Sequence, residues 1–246
     1  IGPGTLPEKI AFVNDNNAYV TCNGTDEVRV VDLTQRRVVK TIAVGSAPWG
    51  VAVLNGKAYV TNSAAIFDPV AVQVNYGDST LTVIDTGTDT VLKTIPMPLN
   101  ARDITIDSEL RVLVLSTGDF GLTPGSLVVI NGDIDEIEKT IKLRVTPSHT
   151  LLVDSRGRVY VGSFGGMLVY DLISEKFIHD RNDVLEEFGA GFGMAIDPRD
   201  NVYVTIPDWS GAKLDELRVM APNKTLLKTY SVGAGASFVA IAQIQS

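Results

Sequence analysis

The chain has 246 residues, 45% hydrophobic and 20% charged, with a formal net charge of −8 at pH 7. Its apolar content suffices for a buried core, yet no apolar run approaches the roughly 20 residues that a bilayer-crossing helix needs. The acidic surplus, with no basic stripe, excludes a polyanionic partner such as nucleic acid. The single cysteine, Cys22, excludes an intrachain disulfide and a cysteine-based metal site.

Residues 9–45, "KIAFVNDNNAYVTCNGTDEVRVVDLTQRRVVKTIAVG", hold four β-rich runs punctuated by Asn, Asp and Gly turns. Each run alternates or is wholly apolar, which predicts four strands, A to D in chain order, with Cys22 a buried thiol in strand B. The second unit repeats the order in "GVAVLNG", "KAYVTN", "STLTVIDTGT" and "DTVLKTIPM", its C to D turn following Asp85 as that of the first follows Asp32. A third unit reads "RDITIDSE", "LRVLVLST", "GSLVVINGD", "EIEKTIKL", and a fourth "HTLLVDSRG", "RVYVGSF", "GMLVYDLIS", "KFIHD". The fifth runs "GMAIDPRD", "NVYVTIPD", "DELRVMAPN", "TLLKTYSVG", after which "ASFVAIAQIQS" supplies one more strand A over 237–245.

Strand B recurs at Val20, Val60, Val114, Val161 and Val204, in steps of 40, 54, 47 and 43 residues. Four strands at a period near 40 predict the blades of an all-β propeller. A β-sandwich would not require the same A-B-C-D order five times. Five complete blades and one strand are visible, and six or seven are expected on closure, in a single domain over 1–246. The opening "IGPGTLPEKIAFV" matches the blade junction "IAVGSAPWGVAV" at 42–53, so residue 1 reads as the tail of an absent strand D. The chain is therefore expected to lack an N-terminal segment that completes the last blade, since propellers close their rings from both termini.

"AYVTN", "LTVIDTGTDTVLKTIPM" and "VRVVDLTQRRVVKTIAVGSAPWGVAV" resemble the YVTN β-propeller family, closely in the first two units and in architecture alone in the later ones. The resemblance implies an extracytoplasmic protein, periplasmic, secreted or at the cell surface, with a binding or scaffolding role and an association with the cell envelope. In that family the motif is structural, so its Thr and Asp are expected to bond between strands and at turns, and no catalytic residue is carried over.

The two ends of the blades differ. The A to B turns ("NDNN", "LNGK", "DSEL", "DSRGR", "DPRDN") are short hairpins; a calcium loop would need alternating oxygen ligands closed by a bidentate carboxylate. The opposite face carries long B to C connections at 63–79, 116–126 and 206–216, and a long D to A connection at 179–193 whose "DVLEEF" is the one candidate helical turn. Long loops on a rigid scaffold are where binding concentrates. If strand A lines the channel, the residue two before its first apolar position stands at the mouth: Glu8, Trp49, Arg102, His149, Phe192 and Ser237, with Asp103 beside them. The loops add Phe67, Tyr76, Asp78, Phe120 and Trp209. Aromatics with a few charges make a binding pocket for a protein, glycan or small molecule. The bland alternative has Trp49 and Phe192 plugging the channel, Arg102 paired with Asp103 or a backbone carbonyl, and His149 as a satisfied polar residue.

A lyase or hydrolase would use His149 as acid or base with Arg102 holding an oxyanion or a carboxylate. Glu8 and Asp103 come from non-adjacent blades and leave a divalent metal underliganded, so neither metal nor cofactor is expected. The sequence thus favours a binding or scaffold protein over an enzyme, with a structural surface-layer module as a further alternative.

Overall fold

Each of the five repeats forms one four-stranded antiparallel sheet in the order of its chain. The computed structural model describes residues 1–208, 210–237 and 239–241; Trp209 and most of the strand expected at 237–245 lie outside them. Blade one is β1 (Pro7–Phe12), β2 (Asn17–Cys22), β3 (Glu27–Asp32) and β4 (Arg37–Ala43). Blade two is β5 (Pro48–Leu54), β6 (Lys57–Asn62), β9 (Thr80–Asp85) and β10 (Thr90–Pro96), interrupted by a separate hairpin of β7 (Ala65–Asp68) and β8 (Gln73–Tyr76). Blade three is β11 (Ala101–Ile106), β12 (Arg111–Ser116), β13 (Ser126–Asn131) and β14 (Glu136–Lys142). Blade four is β15 (Pro147–Val153), β16 (Arg158–Ser163), β17 (Gly166–Asp171) and β18 (Lys176–His179). Blade five is β19 (Gly193–Ile196), β20 (Val202–Ile206), β21 (Asp215–Met220) and β22 (Leu226–Val232). No helix among the described residues is long and apolar enough to cross a membrane.

Two compact units divide the chain, blades one to three in Ile1–Arg144 and blades four and five in Val145–Ser246. Within the first, β1, β5 and β11 pack side by side; within the second, β15 packs on β19. The cores lie between neighbouring blades. Tyr19, Val28 and Val30 of blade one meet Ala58, Val60 and Ile84 of blade two; Tyr59, Leu81 and Val83 meet Val112, Val114 and Val128 of blade three; Tyr160, Met167 and Val169 meet Val202, Val204 and Met220. Second strands are accordingly buried almost end to end, while the fourth strands are exposed outer edges. Lys40 and Lys93 on those edges blunt pairing with other chains, as charged edge residues do. Their ammonium groups also donate across to the next blade, to the carbonyls of Thr88 and Asp135, each at 2.8 Å.

The repeated Tyr and Thr of strand B act as ties between blades. Tyr19 donates to Asp89 of blade two, and Tyr59 to Asp135 Oδ1 of blade three at 2.6 Å. Tyr160 bonds Lys224 of blade five. All three partners occupy the same left-handed turn position before the fourth strand, with φ of 53°, 57° and 73°. Thr21 donates to the Trp49 carbonyl at 2.7 Å, and Thr61 to the Arg102 carbonyl. Blade three carries Leu113 and Leu115 at these two places and offers neither hydroxyl.

The short turns behave as hairpins. In the A to B turns, Asn14, Asp107, Asp154 and Asp197 each accept two backbone N–H bonds from the residues that follow. Asp32, Asp85 and Asp171 do the same work in the C to D turns, and the N–H donors hold these three carboxyls below the ordinary Asp range.

Two local expectations are corrected. The stretch 63–79 is not a plain loop, because Asp68 Oδ1 accepts the N–H groups of Val70 and Ala71 and closes a turn between the β-prone β7 and β8. The helical turn in "DVLEEF" is a single 3-10 turn at Glu186–Phe188, and a second, unforeseen one lies at Asn23–Thr25.

Candidate functional site

Four of the residues singled out on strand A, Glu8, Trp49, Arg102 and His149, lie in β-bulges; β19, which follows Phe192, pairs with β20 without a slip. In four blades the pairing of the first two strands slips within the first: between Pro7 and Ile10, Pro48 and Val51, Ala101 and Asp103, and Pro147 and Leu151. Glu8, Trp49, Arg102 and His149 sit inside these slips, and a bulge re-aims the side chain it carries. The ladder bonds lost there are replaced by the strand B threonine: Thr21 Oγ1 accepts from Lys9 N at 3.0 Å and Thr61 Oγ1 from Gly50 N at 2.8 Å. One hydroxyl thus satisfies its own blade's bulge and grips the carbonyl of the bulged residue in the next blade, Trp49 or Arg102. In blade four, Gly162 occupies the Thr position, and the Gly191 carbonyl is held by Thr150 Oγ1 at 2.5 Å.

In the first unit, the Arg102 guanidinium lies over the Trp49 indole with its Cζ 4.0 Å from the ring centroid. Its Nε donates to Asn100 Oδ1 at 3.0 Å, so its bonded partner is a side-chain amide rather than Asp103 or a carbonyl. Asn100 is fixed in turn by its Nδ2 bond to the Gly118 carbonyl at 3.0 Å. The two terminal nitrogens of Arg102 have no hydrogen-bond partner, and Arg102 has no ion pair, among the described residues. Burial pulls the guanidinium below its ordinary value, against the opposing charges of Glu8 and Tyr76. Burial likewise pushes the Glu8 carboxyl up, with Arg102 and then Lys9 opposing the shift, and pushes up the Tyr76 hydroxyl. Asp103, next in β11, is buried.

Trp49 also lines a groove of about 510 Å³ with Leu6, Asn23, Gly24, Asp26, Ser46, Ala47, Ala65, Ile66, Phe67 and Pro69. Its far wall is the β7 arm of the hairpin, on which Phe67 is 59% exposed. Trp49 is therefore shared by Arg102, which lies over its ring, and by Phe67, which lines the same groove, while Glu8 and Tyr76 act on Arg102 electrostatically. Asp78 lines a different cavity of about 470 Å³ with Ser79, Thr80, Pro96, Met97 and Leu99. Phe120 stands on the blade-three loop, where Asp119 caps Gly121 and Thr123.

In the second unit, the His149 and Phe192 rings meet edge to face at 6.2 Å, and Phe192 meets Phe164 at 6.4 Å. Phe164 lines a cavity of about 320 Å³ with Val145, Thr146, Ser163, Gly165, Arg181 and Val184. His149 and Arg102 fall in different units. Ser237 lies beyond the last assigned strand and Trp209 outside the described residues. Sequence reasoning missed Asn100, Ile66 and Phe164. Asn100 stands two residues before Arg102, a spacing that is the only signal it offers. No group of three or more His, Cys, Asp or Glu side chains among the described residues is placed to hold a metal ion.

No family model matches the chain. A seven-bladed β-propeller protein of Mycobacterium tuberculosis is 33% identical over 111 residues, which make up 44% of this chain and 25% of that relative. The match thus spans about a quarter of the relative's length. A streptogramin B lyase structure is similar with a TM-score of 0.70 at 12% identity, covering 95% of this chain and 71% of the other. The virginiamycin B lyase of Staphylococcus aureus gives 0.69 at 12%, covering 95% and 72%. A quinonprotein alcohol dehydrogenase-like protein of Bacteroides thetaiotaomicron gives 0.64 at 14%, covering 92% and 55%. At such identities the likeness is one of fold. Five four-stranded antiparallel sheets in series, joined to these neighbours, make the chain a β-propeller protein.

Proposed function

We propose that this chain is an extracytoplasmic binding or scaffold protein, a single YVTN-type propeller domain whose B to C and D to A loops present a ligand site. Trp49 and Arg102 form its centre, with Phe67 and Tyr76 contributed by the β7–β8 hairpin. The observation that carries this reading is a partly buried guanidinium lying over an indole that itself lines a groove, with its terminal donors unbonded among the described residues. Structural arginines usually spend those donors on carboxylates or carbonyls, whereas ligand sites keep a few oriented polar groups on an apolar wall.

The test is a thermal-shift screen of aromatic and aliphatic acids, amines, sugars and peptides on wild type, Trp49→Ala and His149→Ala. Ligands that stabilise wild type and His149→Ala but not Trp49→Ala support the reading. Chemical turnover of a ligand that disappears in His149→Ala while its binding persists would replace it with the lyase or hydrolase alternative. Stabilisation that survives Trp49→Ala unchanged would remove the site from this face.

A further inference from the structure

The same indole that lines the groove lies beneath the Arg102 guanidinium, a cation able to choose what enters. Resting on the binding reading above, we propose that the site takes a small molecule with a flat apolar body and a single carboxylate. The body lies in the groove between Trp49 and Phe67, and the carboxylate accepts two parallel bonds from the terminal nitrogens of Arg102.

Three observations select this chemistry. The groove, about 510 Å³, suits a molecule of drug size or smaller; Phe67, Ile66, Pro69 and Trp49 give it apolar walls for the body, while its one carboxylate, Asp26, accepts the Ala47 N–H at 2.8 Å. Arg102 is oriented from behind, since Asn100 holds its Nε at 3.0 Å and Trp49 holds its plane at 4.0 Å. That leaves the fork of terminal N–H groups to match one carboxylate bidentately. Glu8 sets the upper limit on charge: its carboxylate lies within electrostatic reach of the guanidinium, so a dianionic phosphate meets repulsion that a monoanion meets only in part. A neutral sugar leaves the guanidinium donors poorly matched and fills the groove badly. Burial that weakens the cationic form of Arg102 is relieved when a carboxylate arrives, which adds to the preference.

The test is isothermal titration calorimetry with 3-phenylpropionate and its uncharged isostere 3-phenylpropanamide, on wild type, Arg102→Lys, Arg102→Gln, Glu8→Gln and Phe67→Ala, each checked for an unaltered melting transition. Wild type is expected to bind the acid at least about tenfold more tightly than the amide. Both Arg102 variants lose about tenfold for the acid and nothing for the amide, Phe67→Ala weakens both, and Glu8→Gln tightens the acid alone. Arg102→Lys keeps the charge, so its loss reports the planar fork rather than a collapsed site. Equal binding of acid and amide, or acid binding indifferent to Arg102, overturns the proposed class while leaving a Trp49 site standing. Failure of wild type to bind the acid overturns it too. Should the ligands found by the thermal-shift screen also ignore Trp49→Ala, the binding reading falls with it.

Discussion

Thr61→Val removes one hydroxyl and almost nothing else. Thr61 is fully buried; its Oγ1 accepts the Gly50 N–H at 2.8 Å and donates to the Arg102 carbonyl. Valine keeps the shape and leaves a buried donor and a buried acceptor without that partner, at about 1–3 kcal/mol each. Gly50 cannot relax toward another acceptor, because a Cβ there would already lie 2.6 Å from the Arg102 carbonyl, so the two strands are in close contact. The expected loss is about 2–6 kcal/mol. Thr61→Ser keeps the hydroxyl, sheds one methyl, and should cost about 1 kcal/mol. Urea unfolding followed by tryptophan fluorescence separates them, since the Val midpoint should fall by about 1 M or more. Ligand affinity should fall as well, because the bond that is lost fixes the backbone of Arg102. A Val variant as stable as the Ser variant would refute the reasoning that the motif threonine is a tie between blades.

Gly162→Ala would place a Cβ 2.1 Å from the Ala190 carbonyl and 2.9 Å from that of Gly191, contacts with backbone that cannot swing away, so we expect a loss of about 3 kcal/mol or more in thermal unfolding. Tyr59→Phe should cost about 2 kcal/mol through its bond to Asp135, and a double-mutant cycle with Asp135→Asn should show that cost shrinking. Lys224, desolvated over the Tyr160 ring and beside Arg158, is lowered from 10.5 to about 8. Its unfolded form binds the proton more tightly, so stability should rise with pH between about 8 and 10.5 and fall back as pH drops through 8. After discounting for solvent screening the gain is on the order of 1 kcal/mol, and it should vanish in Lys224→Met.

The strands were legible because alternation and turn chemistry act locally: Asp32, Asp85 and Asp171 close their turns with their own neighbours' N–H groups. Counting back from the apolar part of strand A reached Glu8, Trp49, Arg102 and His149, all of which fall inside register slips. The slips themselves were not legible, because a bulge adds a residue without altering composition, and it is visible only once the partner strand is known. The β7–β8 hairpin was hidden by its polar turn and exposed flanks, which give it no core-facing stripe. Asn100 escaped because its role depends on where Gly118 and Arg102 meet in space. Phe164 escaped because a ring contact between blades leaves no trace in either repeat alone. Trp49 and Phe67, 18 residues apart in the chain, belong together only through the fold of the hairpin.

The central claim is that the first unit's mouth holds a ligand while the surrounding motif residues hold the blades. A crystal structure of the protein soaked with 3-phenylpropionate tests it most directly. We predict the carboxylate against the terminal nitrogens of Arg102 and the phenyl ring in the groove between Trp49 and Phe67. Clear density for the acid at another surface, with Arg102 untouched over Trp49, would contradict the account.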